Sequence, residues 1–477
     1  MKEYEIVIGL ETHIQLNTLT KIFCSCKADS WEVKPNTNIC PVCSGLPGVL
    51  PVLNAEVIQK GAILAAAMHA EINPVSYFDR KNYFYPDLPK GFQITQFDEP
   101  IGKGGYLDIN MPDGSPRRVH IHKLHLEEDA GKTKIEHGLR LVDFNRCGVP
   151  LVEMVTEPDL HSGDEAAQYL IELRKLLRWI GVSEADMEKG HLRCDANVSI
   201  REKGSQVLNT KTEIKNVNSI DSVRQAIIME ARRQIEAVEA GERIESYTLD
   251  WDADAGTLRK MRSKETEADY RYFREPDLLP VVLTPEQIEQ IKANLPELPL
   301  ERKQRFVEEY QLSVYDAEIL TNERSLSDYY EETVRLYGGE AKTVSNWMMN
   351  DLSRLMNDLG KNAAQLQLQP ADLAKILGLI DAGKISSATG KLLLKKVEES
   401  GKSPKELVEA EGLGLIGDED SLREQIKAVL TEAPNEVANF KAGKESLMGW
   451  FLGQVMRRTG GKADPKRTRE LLQELLR

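Results

Sequence analysis

The segment LPELPLER, residues 295–302, sets two prolines within five positions and separates two stretches of different texture, which one core cannot accommodate. Before it lie alternating runs such as EIVIGLETHIQL and the turn signals Pro112-Asp113-Gly114 and Gly102-Lys103-Gly104-Gly105. These predict a largely antiparallel, hairpin-rich sheet. Helices are expected to interrupt it at Ala55 to His69, Gly163 to Ile180 and Ser222 to Ala240, and in the second Leu170, Leu173, Leu177 and Ile180 form a core stripe at helical spacing. Beyond the prolines the period changes. Leu373, Ile376, Leu377 and Ile380 recur at i, i+3, i+4 and i+7, and short helical runs are broken by Gly and Pro. The expected fold class is α+β: a large antiparallel-sheet-rich domain over 1–292, an all-α domain over 293–405 and a small helical tail domain over 406–477.

Composition narrows the function classes. The longest apolar run, near Gly61 to Met68, is far too short to span a bilayer, and the first residues carry acids, so neither a transmembrane helix nor a signal peptide is expected. Six cysteines in 477 residues, four of them close together, argue against a disulfide-stapled secreted protein and for the cytoplasm. The net charge of −14 argues against a protein coated in nucleic acid. Yet from Lys441 to Arg477 nine lysines and arginines stand against four acids, following the apolar pattern around Trp450 and Phe451. Such a basic end is either a polyanion contact or a solvated helix face.

Cys24, Cys26, Cys40 and Cys43 form C-x-C and C-P-x-C pairs, the pattern of two thiolate knuckles closing a tetrahedral zinc site. Four thiolates leave no position for water, so the expected zinc is structural. Cys147 and Cys194 read as buried and inert. Glu11 and His13, in GLETH, share one face of a strand. In VHIHKLHLEEDAGK, alternation places Val119, Ile121, Lys123, His125 and Glu127 on one face and His120, His122, Leu124, Leu126 and Glu128 on the other, with Gly131 marking a turn. A strand ending in carboxylates can present oxygens to Mg²⁺, or can simply be a solvated acidic end. Glu153, Glu157, Arg193, Asp195, Arg201, Lys215, Arg271 and Arg274 complete a set of acids for a metal and cations for phosphate. No P-loop and no strand-linked G-x-G-x-x-G accompanies them.

Read together, IGLETHIQL, FDRKNYFYPDLPKGFQITQFDEPI, LHLEEDAGK, VDFNRCGVPLVEMVTEPD, RCDANVSIR, EIKNVNS, DYRYFREPDLLP and FKAGKESLMGWFLGQVMRRTGGKADP resemble the B subunits of aspartyl/glutamyl-tRNA amidotransferases, in order and over essentially the whole length. The resemblance implies a cradle-shaped first domain that uses ATP to phosphorylate the side-chain carboxylate of Asp or Glu mischarged onto tRNA(Asn) or tRNA(Gln). It implies a heterotrimer in which an A subunit releases ammonia from glutamine and a small C subunit wraps the other two, with neither membrane nor DNA as partner. It places Glu11, His13, Glu128 and Glu153 on Mg²⁺-binding positions, Glu128 and Glu153 also being the catalytic candidates, with Asp195 and Glu127 as ligands or as groups that orient them. Lys132, Arg193 and Lys215 are the candidates for phosphate contacts. The zinc site, present in only some relatives, is implied to be structural, and the tail is implied to hold tRNA. Two other readings are a non-catalytic tRNA-binding scaffold and a self-contained carboxylate–amine ligase for a small molecule. Of the two acids at the strand end, the resemblance favours Glu128 and makes Glu127 the control.

Overall fold

A computed structural model describes residues 3–263, 270–415 and 419–476; part of the stretch SKETEAD lies outside the described residues. The chain divides into two compact units, Met1–Pro299 and Leu300–Arg477.

The first unit is organised around β1 (Tyr4–Gln15). From Ile8 onward the strand alternates, Ile8, Leu10, Thr12 and Ile14 being buried while Glu11, His13 and Gln15 face the other way. Further strands are β2 (Asp79–Asn82), β3 (Phe92–Thr95), β4 (Pro116–Glu128), β5 (Pro150–Thr156), β6 (Leu192–Glu202), β7 (Thr212–Val217), β8 (Tyr247–Asp252) and β9 (Thr257–Ser263). The main sheet runs β9-β8-β7-β6-β1-β5-β4, continuing through the two-residue strands Gly102–Lys103 and Glu71–Ile72, with Tyr106–Asn110 also pairing to β4. Neighbours are antiparallel except β7 and β8. β2 and β3 pair in a separate three-stranded sheet with Phe273–Arg274.

The apolar face of the main sheet is covered by α1 (Ala55–Ala67), α2 (Gly163–Trp179) and α3 (Ile220–Glu239), within a residue or two of the expected helices. Each begins at a side-chain cap, Asn54, Ser162 and Ser219 accepting from the backbone N–H of Glu56, Glu165 and Ser222. Leu170, Leu173 and Leu177 of α2 are fully buried against the sheet, so the stripe is core as expected.

Strand β4 departs from simple alternation. Val119, Ile121, Leu124 and Leu126 all belong to the same core, although an unbroken period of two would send the first pair and the second pair to opposite faces. Thr156 pairs with Ile121 and Val155 with Lys123, so His122 is an extra residue in a bulge that shifts the phase. Downstream of it, Lys123, His125 and Glu127 face away from the core. Gly131, just beyond, is needed for close approach rather than for a turn angle. A Cβ there would lie 2.9 Å from the Asp143 carbonyl oxygen and 3.0 Å from that of Asp87.

The second unit is helical. One core gathers Phe306, Tyr330, Leu352, Leu368, Leu373, Ile376, Leu377 and Leu393, and another Leu422, Ile426, Phe451, Val455, Leu471 and Leu472. The first of these extends through Leu407, with Leu413 packed against it. The expected boundary at 406 therefore falls inside the helix Pro404–Ala410, which belongs to that core, rather than in the connection that follows. Among the described residues no helix is long and apolar enough to cross a membrane.

Candidate active site

The polar face of the main sheet carries a row of ionisable groups set by strand register. His13 on β1 stands opposite Glu153 on β5, and Glu153 opposite His125 on β4. On the other side Glu11 faces Asp195 and His13 faces Arg193, both on β6. His13 Nε2 lies 3.3 Å from Glu153, 3.7 Å from Glu11 and 4.0 Å from Glu127. His125 Nε2 is 3.4 Å from Glu153 and 3.7 Å from Glu127. Two overlapping triads, Glu11 with His13 and Asp195, and His13 with Glu127 and Glu153, each bring their ligand atoms within 4.8 Å of one another. A divalent cation fits this donor set of carboxylate oxygens and one imidazole.

Crowding controls the protonation of the cluster. Burial and the neighbouring Glu153 carboxylate push Glu11 up to about 7. Burial alone would raise Glu153 and lower the two histidines, but their mutual attraction prevails. Glu153 is held well below the usual carboxylate range by His125 and His13, His125 is pushed up to about 9 by Glu153 and Glu127, and His13 is raised in the same direction.

Cations flank the acids. Lys215 Nζ donates to Asp195 at 2.7 Å and lies 3.2 Å from Glu213, and Arg193 pairs with Asp129 at 2.8 Å. Asp129 also accepts from Gln15 Nε2 at 2.9 Å, and against its burial the Arg146 and Arg193 charges hold its carboxyl low. Lys81 of β2 was not singled out from sequence. Burial opposes its charge, but Glu127 and Glu153 raise it above the ordinary lysine value, and its ammonium stands 5.0 Å from the Tyr270 ring centre. Tyr83, Tyr270 and Tyr272 make an aromatic wall there, their rings meeting edge to face. The visible signal was alternation in DRKNY, which puts Lys81 on one face of its strand and Arg80 on the other.

The structure brings together Glu11, His13, Glu153, Asp195, Arg193 and Lys215. It does not bring Glu128 to them. Pleating turns consecutive residues apart, so Glu127 enters the cluster, where its carboxylate accepts from the Thr95 hydroxyl at 3.1 Å. Glu128 instead pairs with Lys90 and accepts from the Ile94 N–H at 2.9 Å, lining a cavity of about 200 Å³ with Phe23, Arg80, Lys90, Phe92 and Glu275. Lys132 is also elsewhere: exposed at the start of the hairpin strand Lys132–Glu136, with its ammonium 5.8 Å from the Trp31 ring centre. Arg274 pairs with Asp79 at 2.9 Å, Arg201 with Glu5 at 2.7 Å, and Glu157 with exposed His122 at 2.9 Å. Of the weaker candidates, then, these three are engaged with neighbours outside the cluster.

The four cysteines Cys24, Cys26, Cys40 and Cys43 converge with all sulfurs within 4.8 Å, as the spacing requires, and they can bind a metal. Cys43 accepts from the Cys40 N–H at 3.2 Å, closing the second knuckle. A hydrogen bond from Cys24 is the main cause that brings the Cys43 thiol down to about 4, while burial pushes Cys26 up to about 11. Cys147 and Cys194 are buried, and burial raises both thiols, Cys147 to about 12. Gly45, two residues beyond Cys43, has φ +68°, and a Cβ there would meet the Lys90 side chain at 2.6 Å, so the cysteine loop packs directly on the residue that pairs with Glu128.

In the tail, Lys441, Lys444, Arg457, Lys466 and Arg469 are exposed and form no ion pair among the described residues, whereas Arg458 and Arg467 are paired to Glu432 and Glu419. Trp450 is 39% exposed beside them in the sequence.

The GatB/GatE catalytic domain family matches residues 6–289, and the GatB domain family matches 328–476. A protein of Thermodesulfovibrio yellowstonii is 48% identical over 476 residues, and one of Persephonella marina 47% over 475, each alignment covering 100% of both chains. A third, from a Thermotoga species, is 46% identical over 99% of each. All three carry the name of the B subunit of aspartyl/glutamyl-tRNA(Asn/Gln) amidotransferase. With both domains matched in order and identity near one half from end to end, the chain belongs to the family of aspartyl/glutamyl-tRNA(Asn/Gln) amidotransferase B subunits.

Proposed function

We propose that this chain is the subunit that activates the side-chain carboxylate of Asp or Glu carried by tRNA(Asn) or tRNA(Gln), using ATP, for amidation by ammonia released from glutamine in a partner A subunit, with a small C subunit completing the complex in the cytoplasm. The observation that carries this reading is the run Asp195, Glu11, His13, Glu153, Glu127 across adjacent strands, flanked by Lys81, Lys215 and Arg193. A carboxylate is a poor electrophile. Its oxygen attacks the γ-phosphorus of ATP, ADP leaves, and the resulting acyl phosphate is attacked at carbon by ammonia, which expels phosphate and loses a proton to give the amide. Glu11, His13, Glu127 and Glu153 are the residues we assign to Mg²⁺, which when bound neutralises triphosphate charge. Lys81, Lys215 and Arg193 attract the remaining phosphate oxygens, and the tyrosine wall beside Lys81 limits water at the anhydride. Glu128 and Lys132 have no role in this assignment.

Phosphorylation of the carboxylate has an isotopic consequence. In the assembled complex, Glu-tRNA labelled with ¹⁸O in its side-chain carboxylate should transfer one label to inorganic phosphate for each amide formed. Amide formation with unlabelled phosphate would sink the reading, and absence of any ATP cleavage dependent on misacylated tRNA would favour the scaffold alternative.

Glu11 predicts how cation binding depends on pH. Raised to about 7, it is neutral in the metal-free fold at low pH. Its stabilising contribution is fully present below the ordinary carboxylate value of about 4.5 and is lost as pH rises through about 7, where the new charge meets Glu153. A divalent cation binds the ionised form. Mn²⁺ affinity, measured by paramagnetic resonance as a stand-in for Mg²⁺, should fall by up to about tenfold per unit below pH 7, and Mn²⁺ should raise the melting temperature more at pH 8 than at pH 6. Equal affinity at both pH values would remove Glu11 from the ligand set.

The four-cysteine cluster we assign to structural Zn²⁺. Its donor set suits that ion and leaves no position open for water. The exposed basic residues near Trp450 are the part of the tail that we assign to tRNA phosphates.

A further inference from the structure

We infer that Lys21 is the charge-compensating and positioning residue of the cysteine metal site, an inference that rests on the zinc assignment above. Lys21 is fully buried, at 0% exposure, although it carries an ammonium. Its Nζ donates to the Asn38 carbonyl oxygen at 3.0 Å and to Cys43 Sγ at 3.6 Å, and among the described residues no carboxylate pairs with it. Arg302, another buried cation, is by contrast compensated by two acids, Asp328 and Glu331. A buried ammonium without an anion is strongly disfavoured, and the ionisable group that Lys21 touches is the Cys43 sulfur, which we assign as its counter-anion.

The geometry also ties the two halves of the cluster together. The Lys21 backbone N–H donates to the Cys26 carbonyl oxygen at 2.9 Å, while its side chain reaches Cys43 and the Asn38 carbonyl two residues before Cys40. One residue therefore grips the C-x-C knuckle by its backbone and the C-P-x-C knuckle by its ammonium. Gly148 closes the channel around the stem: a Cβ there would lie 3.5 Å from Cys43 Cβ and 3.6 Å from Lys21 Cδ. The ammonium is thus held against the Cys43 sulfur. Four thiolates around a dication carry an excess charge of −2, and one buried lysine halves it. Its N–H···S bond draws charge from the sulfur it touches, which lessens repulsion among the thiolates.

The test uses the full-length chain loaded with zinc. Metal content is measured first, and then the rate of zinc loss to a chromogenic chelator is compared for wild type, Lys21→Met and Lys21→Gln. Lys21→Met, which keeps the stem and removes the charge, should lose zinc about 10- to 100-fold faster, the range typical of groups that support metal ligands. Lys21→Gln, which keeps a donor without the charge, should also lose zinc faster than wild type. With Co²⁺ in place of zinc, the thiolate-to-metal charge-transfer band should move in Lys21→Met, a change that a packing role alone would not produce. Zinc loss from Lys21→Met within twofold of wild type, with an unmoved cobalt band, overturns the inference and leaves the zinc assignment standing. Wild-type protein that retains neither zinc nor cobalt overturns both. Should Lys21→Met fail to fold, the same twofold criterion and cobalt band are applied to Lys21→Gln.

Discussion

In the assembled amidotransferase, Glu127→Gln is expected to lower ATP-dependent amidation by about 10²- to 10³-fold, the scale associated with removing one preorganised electrostatic group from a reaction centre. Glutamine hydrolysis in the partner subunit should remain. The substitution is nearly isosteric and can keep the contact with the Thr95 hydroxyl, so the loss would report the missing charge rather than a collapsed strand end. Its neighbour supplies the contrast. Glu128→Gln removes the ion pair with Lys90 but keeps an oxygen for the Ile94 N–H, so its effect should be well below that of Glu127→Gln. The two variants are compared by kcat for amide formation at saturating Mg²⁺, with melting temperature as the control for folding. Equal activity of Glu127→Gln and wild type would remove Glu127 from the reaction centre, and a larger loss in Glu128→Gln would reverse the assignment of the two acids.

Removal of residues 416–477 should give the second large effect, a loss of tRNA affinity that is steep in salt. The cut falls beyond Leu413, so the first helical core keeps Leu407 and its neighbours, whereas a cut at 406 would strip a buried leucine from that core. The exposed cations Lys441, Lys444, Arg457, Lys466 and Arg469 lie in the removed part. If each of the five meets a phosphate, the slope of log affinity against log salt should become shallower by about 3.5 to 4.5, since each neutralised phosphate contributes about 0.7 to 0.9. Filter binding of tRNA by the complex at several salt concentrations measures the slope. An unchanged slope would mean that the phosphate contacts lie elsewhere. Amidation of a free carboxylate by the truncated complex would revive the small-molecule ligase reading.

These expectations differ in how far they could be reached from the residues alone. The helices at 55–67, 163–179 and 220–239 were legible to within a residue or two, the second through Leu170, Leu173, Leu177 and Ile180 at helical spacing, whereas the caps Asn54, Ser162 and Ser219 emerge from the structure. The shared face of Glu11 and His13 was legible too, since β1 has no irregularity to disturb its period. On β4 the same rule misplaces Val119 and Ile121 relative to Leu124 and Leu126. The bulge at His122 depends on pairing with Val155 and Thr156, which alternation within HKLHLEE does not reveal. Lys81 was out of reach for a related reason: a charged residue in a short strand becomes part of a site only when its small sheet is laid against the acidic face of the large one.

What the sequence by itself determined is local and periodic: the helices, the two faces of β1, the cysteine spacing, the basic tail and, through long motifs matched in order, the family. The tertiary structure decided which of these residues meet. Strand order is not chain order here. β6, β1, β5 and β4 lie side by side only because of long-range pairing, and that pairing puts Glu153 between His13 and His125. It also chose between two adjacent glutamates. Pleating alone divides Glu127 from Glu128, but only the packed neighbours, His13 and Thr95 on one side and Lys90 and the Ile94 N–H on the other, determine which joins the cluster around His13 and Glu153.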